Sequence, residues 1–410
     1  MTDAVAPSGL RAYAHVLSVP GAAAFCSAGA LARLSQGMIG LGSVLMVSGL
    51  GRSYTLAGLV AGAIALSQSL IGPQTSRLAD RLGQTRVLLP QLAVHVLALG
   101  ALVASAGGNG AGPLLVAIAV AAGASQPQVG AFARARWTAL LPDEDRLRTA
   151  LAVESLIEEA VFIVGPVVVT VLATAIAPAA GLLTAIGVVV AGCLLFVAQR
   201  TTEPRPHAAD GGHVPHASAL RSRGLVVVVA VFLGMGAVFG LVEVSIVAFA
   251  REHGDPGATG PMLGLWATGS LLSGIAYGAI AWRAPAHRRF LVAVGAFALG
   301  TILIAGATES LAVMTVALFV AGLANAPTLI TGNTLVPAVV PRHAVTEAYT
   351  WLSVTLFAGM AVGSAAAGAL IDGSGASAGL LASTAAAAAA VVATVLGYRL
   401  LARPAAAAPA

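Results

Sequence analysis

Lysine is absent from this 410-residue sequence, and all 21 basic side chains are arginine. Charge of either sign is scarce at 9%, where a water-soluble domain carries about a quarter. With 58% of residues hydrophobic, that scarcity excludes a soluble globular protein. Cysteine is nearly missing. Cys26 and Cys193 both fall inside apolar runs, which excludes a disulfide framework and leaves them as small packing residues. No phosphate-binding Gly-x-x-x-x-Gly-Lys-Ser/Thr, His-Glu-x-x-His or Gly-x-Ser-x-Gly sequence occurs, nor a paired His–carboxylate cluster at one depth. Those absences argue against an ATP-driven machine and against an enzyme, and no cofactor or metal is expected.

What remains is apolar sequence in long runs. Stretches of about 20 residues, enough to cross roughly 30 Å of hydrocarbon, recur along the whole chain. Runs such as "LLVAIAVAAGA" are apolar on all sides, which suits a helix and not the alternating strand of a barrel. Twelve spans are expected, near 21–48, 56–76, 86–106, 113–134, 149–172, 179–198, 224–250, 262–282, 289–308, 311–332, 346–371 and 376–400. If the N-terminus is cytoplasmic, the tails and even-numbered loops hold every arginine except Arg33, Arg52 and Arg251. The positive-inside rule then predicts a multi-pass plasma-membrane protein with both termini in the cytoplasm. The basic balance reflects topology and anionic lipid heads, so lipid is an expected partner and nucleic acid is not.

The longest polar stretch, "RTTEPRPHAADGGHVPHASALRSRG" at 200–224, reads as a linker between six spans and six. Its His207, His213 and His216 read as solvated linker residues and not as a metal site. Repeated halves support the division. The segment from Gly58 aligns without gaps to that from Gly264, matching Gly58/Gly264, Ser67/Ser273, Gly72/Gly278 and Arg77/Arg283. Ala150, Ser155, Ala160, Val164 and Gly165 pair likewise with Ala348, Ser353, Ala358, Val362 and Gly363. The expectation is an all-α membrane protein with a six-helix bundle at 1–199, a linker at 200–223 and a second bundle at 224–410, monomeric as a unit.

Charge is concentrated at "SRLADRLGQTRVLL", residues 76–89, in the loop after the second span. Asp80 can accept hydrogen bonds from a helix N-terminus, Arg77 and Arg81 can pair with it or reach carbonyls and lipid phosphates, and Gly83 permits the turn. Leu78, Ala79, Asp80, Arg81, Gly83 and Leu88 resemble the loop signature of the major facilitator superfamily, with Ser76 and Gln84 departing from it. The resemblance implies a 6+6 helical fold, transport by alternating access, and a gating latch at Asp80, Arg81, Arg77 and Gly83. The second copy, "WRAPAHRRF", keeps Arg283, Arg288 and Arg289 but has no acid. Gly165 and Pro166 are similar to the Gly-Pro element of drug/proton antiporters in that superfamily, although Val169 and Thr170 stand where glycines are expected.

Ionisable groups at membrane depth cost about 2.5–3.5 kcal/mol, so each is a functional hypothesis. Glu154, Glu158 and Glu159 lie in the fifth span, Glu243 in the seventh and Arg33 in the first. Glu158 sits about 13 Å into its span, close to the midplane. Glu154 shares its face at i,i+4 spacing and Glu159 is turned about 100° away. Two carboxylates on one face in low dielectric resist being charged together, so Glu158 can carry a proton with Glu154 its modulator. An Arg33 ion pair with Glu158 or Glu159 that merely joins two spans is the competing reading.

Gln36, Gln126, Asn325, Glu243 and Trp351 are the expected substrate contacts, with Gln68, Gln128, Asn333 and Tyr277 as further wall residues. Glu243 would attract a cationic group, or reach out to the nearby outer interface as a snorkelling side chain. Pro127 and Pro327 mark kinks in the fourth and tenth spans. His95, four residues after Gln91, reads as a satisfied interior histidine. The loop 133–150, rich in Arg134, Arg136, Trp137 and acids, reads as an interfacial anchor. The leading expectation is a proton-coupled exporter of a small amphipathic molecule, and proton-coupled uptake of a nutrient or metabolite is the alternative.

Overall fold

The computed structural model describes residues 10–108, 110–205, 219–280, 282–341 and 344–402. His207, His213, His216 and Arg342 lie outside the described residues. Helices account for nearly all of the rest, and no strand occurs among the described residues.

A short lead-in, α1 (Leu10–Leu17), precedes α2 (Ala22–Gly49), α3 (Tyr54–Leu82) and α4 (Gln84–Gly107). The fourth span is two pieces, α5 (Gly112–Ala124) and α6 (Val129–Leu140), followed by α7 (Glu144–Ala175) and α8 (Ala180–Ala198). The second half repeats the order with α9 (Arg223–Glu252), α10 (Thr259–Ala279), α11 (Ala286–Gly306) and a second broken span, α12 (Leu311–Gly322) with α13 (Asn325–Val339). It closes with α14 (Val345–Ser374), α15 (Ala376–Leu396) and the turn α16 (Tyr398–Leu401).

Among the described residues eleven spans are long and apolar enough to cross a membrane, each broken pair counting once. The twelfth expected span, 262–282, forms as α10, but Gly264, Gly269, Gly274 and Gly278 with interleaved Ser and Thr dilute its hydropathy. Those small residues bring backbones together: a Cβ on Gly269 would meet the Phe319 carbonyl of α12. Boundaries follow local chemistry. Ser53 caps α3, Asp143 caps α7 and Ser222 caps α9, each accepting a backbone N–H three residues on. Gly83, at φ 97°, makes the tight turn from α3 into α4.

The aligned segments occupy equivalent places. A Cβ on Gly165 of α7 would come 2.8 Å from the Gly37 Cα of α2, and one on Gly363 of α14 would come 2.8 Å from the Ala237 Cα of α9. Gly165 is therefore a crossing point where only hydrogen fits. Between the halves, α3 packs along α14 and α7 along α10. At the end away from most arginines, one apolar core runs through both halves, joining Met38, Val44 and Leu182 to Leu241, Phe297 and Leu380. At the arginine-rich end it divides into one cluster around Phe25, Trp137 and Phe196 and another around Phe232, Phe290 and Leu401.

Candidate functional site

Between those divided cores lies a cavity of about 610 Å³, walled by α2, α3, the α5–α6 break, α6 and α7 of the first half and α9 and α14 of the second. Its walls are mainly apolar, with Ile39, Ile64, Phe162, Val354 and Met360 among them. Toward the far end it is blind, because α3 and α14 close on each other. Gly58 lies against the Ser364 carbonyl, and a Cβ on Gly62 would be 2.7 Å from the Ala361 carbonyl oxygen. Beyond them the Asp372 carboxylate accepts hydrogen bonds from Tyr54 N at 2.8 Å, Thr55 N at 2.8 Å and the Thr55 hydroxyl at 2.6 Å. Arg251 Nη1 donates to the Ser48 carbonyl at 2.9 Å, a second tie between the halves.

Gln36, Gln68, Gln126, Gln128 and Glu243 all line the cavity. The Gln36 and Gln128 amides, with Gln91 beside them, serve the break between α5 and α6, where buried backbone at membrane depth loses its helical partners. The Gln126 carbonyl accepts from Gln91 Nε2 at 2.9 Å and Gln128 Nε2 at 3.1 Å. Gln36 Nε2 reaches the Pro127 carbonyl at 3.4 Å, and His95 Nδ1 lies 2.8 Å from the Ala122 carbonyl. His95 is thus an interior histidine whose Nδ1 carries the proton. Gln36, Gln91 and Gln128 hold the shape of the break, and the buried Gln126 Oε1 has no partner among the described residues.

Asn325 and Trp351 do not line this cavity. Asn325 opens α13 at the second break and is buried there. Trp351 packs on the second half's core and donates from Nε1 to Glu347 at 3.2 Å. The α14 face that does enter the cavity carries Tyr349, Ser353, Phe357 and Ser364. Tyr277 faces outward, and Asn333 is exposed and donates to the Leu329 carbonyl.

The membrane-depth charges pair differently from the sequence expectation. Arg33 binds Glu154, not Glu158 or Glu159, with Nη2 to Oε2 at 2.6 Å and side chains only 2% and 0% exposed. Trp137 Nε1 donates to the other Glu154 oxygen at 2.8 Å, and Arg33 Nε donates to the Gly29 carbonyl at 3.2 Å. Glu158, one turn along α7, pairs with Arg134, and both are about half exposed to the cavity. Glu159 is half-buried outside the cavity lining. Glu243, toward the blind end beside Gly40, has no hydrogen-bond or ion-pair partner among the described residues.

The stretch 133–140 is a correction. It continues α6, and Arg136 and Trp137 are wholly buried instead of lying at the membrane interface. Arg136 Nη1 donates to the Phe196 carbonyl at 3.1 Å, the Gln199 carbonyl at 3.0 Å and the Thr202 hydroxyl at 2.9 Å. Its Nε donates to Gln84 at 2.9 Å and its guanidinium lies 3.8 Å over the Phe196 ring. The last carbonyls of α8 need donors, and a buried guanidinium supplies several at once. Phenylalanine at Trp137 is expected to lower stability by about 1.5–3 kcal/mol, because a charged acceptor loses its donor. Thermal unfolding of the purified variant measures it, and an unchanged midpoint would mean the bond contributes nothing.

Asp80, Arg77 and Arg81 are exposed at the arginine-rich end and form no ion pair among the described residues. The acid that holds this turn is Glu203, which accepts from Thr85 N at 2.8 Å and the Thr85 hydroxyl at 2.6 Å. Neither Glu203 nor Asp372 stands out by sequence depth. The signal for Asp372 is its place in the last turn of its own helix, where an acid opposes the dipole and must serve another helix's N-terminus.

Comparison with known proteins sets this geometry in context. The sequence profile of the Major Facilitator Superfamily matches residues 25–312. No curated protein matches the chain by sequence. Among solved structures it is similar to an auto-inhibited POT family peptide transporter, with 14% identity, a TM-score of 0.70 and coverage of 95% of this chain and 99% of that one. It is also similar to the nucleoside transporter NupG, with 14% identity, a TM-score of 0.72 and coverage of 92% and 98%. The human organic anion transporter MFSD10 (TETRAN) gives 16% identity, a TM-score of 0.60 and coverage of 96% and 100%.

Proposed function

The chain belongs to the Major Facilitator Superfamily, and from that premise we propose that it is a secondary active transporter that exports a small amphipathic cation, a drug or natural product, in exchange for protons. The observation that carries this reading is Glu243, an unpartnered carboxylate toward the blind end of a mainly apolar cavity. A charge at that depth is costly, so it serves a counter-charge that arrives with the cargo. Apolar walls with few hydrogen-bonding groups suit an amphipathic molecule better than a sugar.

Glu158 is the proton site. While it is ionised, Arg134 is balanced. Once it takes a proton, Arg134 stands uncompensated in the cavity, and the added positive charge repels a cation held near Glu243. Proton binding and cargo binding are then opposed, which is antiport. Glu154 keeps Arg33 and Trp137 in place beneath them.

Alternating access supplies the movement. Here the cavity is blind where Asp372, Arg251 and the α3–α14 glycines meet, and Asp80, Arg77 and Arg81 are free to latch once the arginine-rich end closes, with Gly83 as the turn. The arginine asymmetry supports a reading in which that end and both termini face the cytoplasm and the membrane spanned is the plasma membrane. The halves 1–199 and 224–410 rock about the linker 200–223, and one chain suffices.

The test is transport in proteoliposomes with an imposed pH gradient, using a panel of lipophilic cations and antibiotics. Proton-driven movement is expected, abolished by Glu158→Gln, with Glu243→Gln raising KM for cations at least tenfold. Uptake has its own support in the amides lining the cavity and in the similarity to the structures of a peptide transporter and a nucleoside transporter. Proton-driven accumulation of a nutrient on the cytoplasmic side, with no cation moved outward, overturns export.

A further inference from the structure

The second copy of the charged loop, "WRAPAHRRF", has arginines and no acid, and the cavity uses none of them. The structure puts two of them at the mouth of a separate groove of about 500 Å³ between α10, α11 and the broken tenth span. Arg289 Nη1 donates to the Tyr277 hydroxyl at 3.2 Å, and its guanidinium lies 5.9 Å from the Tyr277 ring and 5.8 Å from the Trp282 ring. The two rings stack at 4.5 Å, fixed by Trp282 Nε1 donating to the Tyr277 carbonyl at 2.9 Å. Arg289 Nε is buried without a hydrogen-bond partner among the described residues.

No acid occurs in the sequence between Asp255 and Glu309, nor between Glu309 and Glu347. Neither Arg288 nor Arg289 has an ion pair among the described residues. Both lie in the first turn of α11, whose cap, Pro285, offers no side-chain acceptor, so the helix dipole adds to their positive charge. The exposed Arg288, the half-buried Arg289 and the helix end together leave this corner positive with no compensating acid bound to it among the described residues.

Below the arginines the groove is apolar. Val292, Ala296, Leu299 and Leu303 form one stripe of α11, opposite Val320 and Leu323. The stripe is open to the outside, with Val292 72% and Leu299 63% exposed. From Arg289 to Leu303 it runs about 21 Å, longer than the roughly 15 Å that one leaflet contributes to the hydrocarbon core. A free anion has no use for this stripe, and a neutral lipid has no use for the arginines.

We propose that this groove binds one anionic phospholipid of the cytoplasmic leaflet, its phosphate on Arg288 and Arg289 beside Trp282 and an acyl chain along α11. The site holds whatever the central cavity carries.

Native mass spectrometry of the purified protein with phosphatidylglycerol, phosphatidylcholine or inorganic phosphate tests it. Wild type is expected to retain one phosphatidylglycerol at least tenfold more strongly than phosphatidylcholine. The double variant Arg288→Gln with Arg289→Gln should lose that preference, and Ala296→Trp, which fills the tail groove and leaves the arginines alone, should lose it too. An equal-charge control, Arg86→Gln with Arg200→Gln, should keep it. Unchanged retention in either groove variant, equal loss in the control, or displacement of the lipid by inorganic phosphate overturns the proposal.

Discussion

Methionine at Arg33 is expected to destabilise the protein by about 3–5 kcal/mol. The reason is desolvation without compensation. Glu154 is 0% exposed and faces Arg33 at 2.6 Å, so removing the guanidinium leaves a buried carboxylate with only Trp137 and the weak Cys26 thiol as donors. Glu154→Leu should cost a similar amount by stranding Arg33, whose Nη1 already lacks a hydrogen-bond partner among the described residues. The double variant Arg33→Met with Glu154→Leu should recover most of the loss, because apolar side chains of similar volume replace a buried pair at little net cost. A double-mutant cycle on unfolding midpoints measures the coupling. Additive losses, or single losses under about 1 kcal/mol, would show that the two charges do not depend on each other.

A second large effect is expected at the far end of the cavity. Asp372→Ala removes three hydrogen bonds across the halves, two of them to the first backbone N–H groups of α3. Losing a cap of this kind costs about 0.5–2 kcal/mol. The loss falls only on the conformation in which α3 and α14 touch, so the population open at this end should rise about twofold to thirtyfold. Gly62→Leu should act in the same direction and more strongly, because its Cβ would sit 2.7 Å from the Ala361 carbonyl oxygen and backbone cannot give way as a side chain can. Spin labels at Leu50→Cys and His253→Cys, on opposite halves, read the opening as a longer-distance population. If both variants leave the distance distribution of the parent, the far-end contacts are not a gate.

Much of the architecture was legible from residues. Apolar runs long enough to span, arginines at alternate loops and the Gly58/Gly264 alignment each report a local or periodic property, and such properties survive in a one-dimensional string. Ser53, Asp143 and Ser222 cap their helices as their types favour. The acids were legible as unusual, but their partners were not. Helical periodicity put Glu154 and Glu158 on one face, yet the approach of α2 at Gly37 and Gly165 leaves Glu154 to Arg33, while Glu158 meets Arg134 from α6. Arg136 misled for a similar reason. An arginine near a helix end reads as interfacial, and only the neighbouring end of α8, the residues just after it and Gln84 turn it into an interior donor to four groups.

The sequence by itself determined that this protein lives in a membrane, that it is helical, that its halves repeat and that its fourth and tenth spans are kinked near Pro127 and Pro327. Those follow from hydrophobic length, periodicity and proline, which are read within one segment. Only the tertiary structure decided which carboxylate is held by an arginine and which, like Glu243, meets the cavity without a partner. It also decided that Asp372 serves a helix more than 300 residues away in sequence, with Tyr54 and Thr55 as its contacts. Ion pairs and cross-half caps depend on which faces of distant helices meet. Those faces are set by close approaches at glycines such as Gly37, Gly58 and Gly165, whose missing side chains leave no pattern along the sequence to mark their partners.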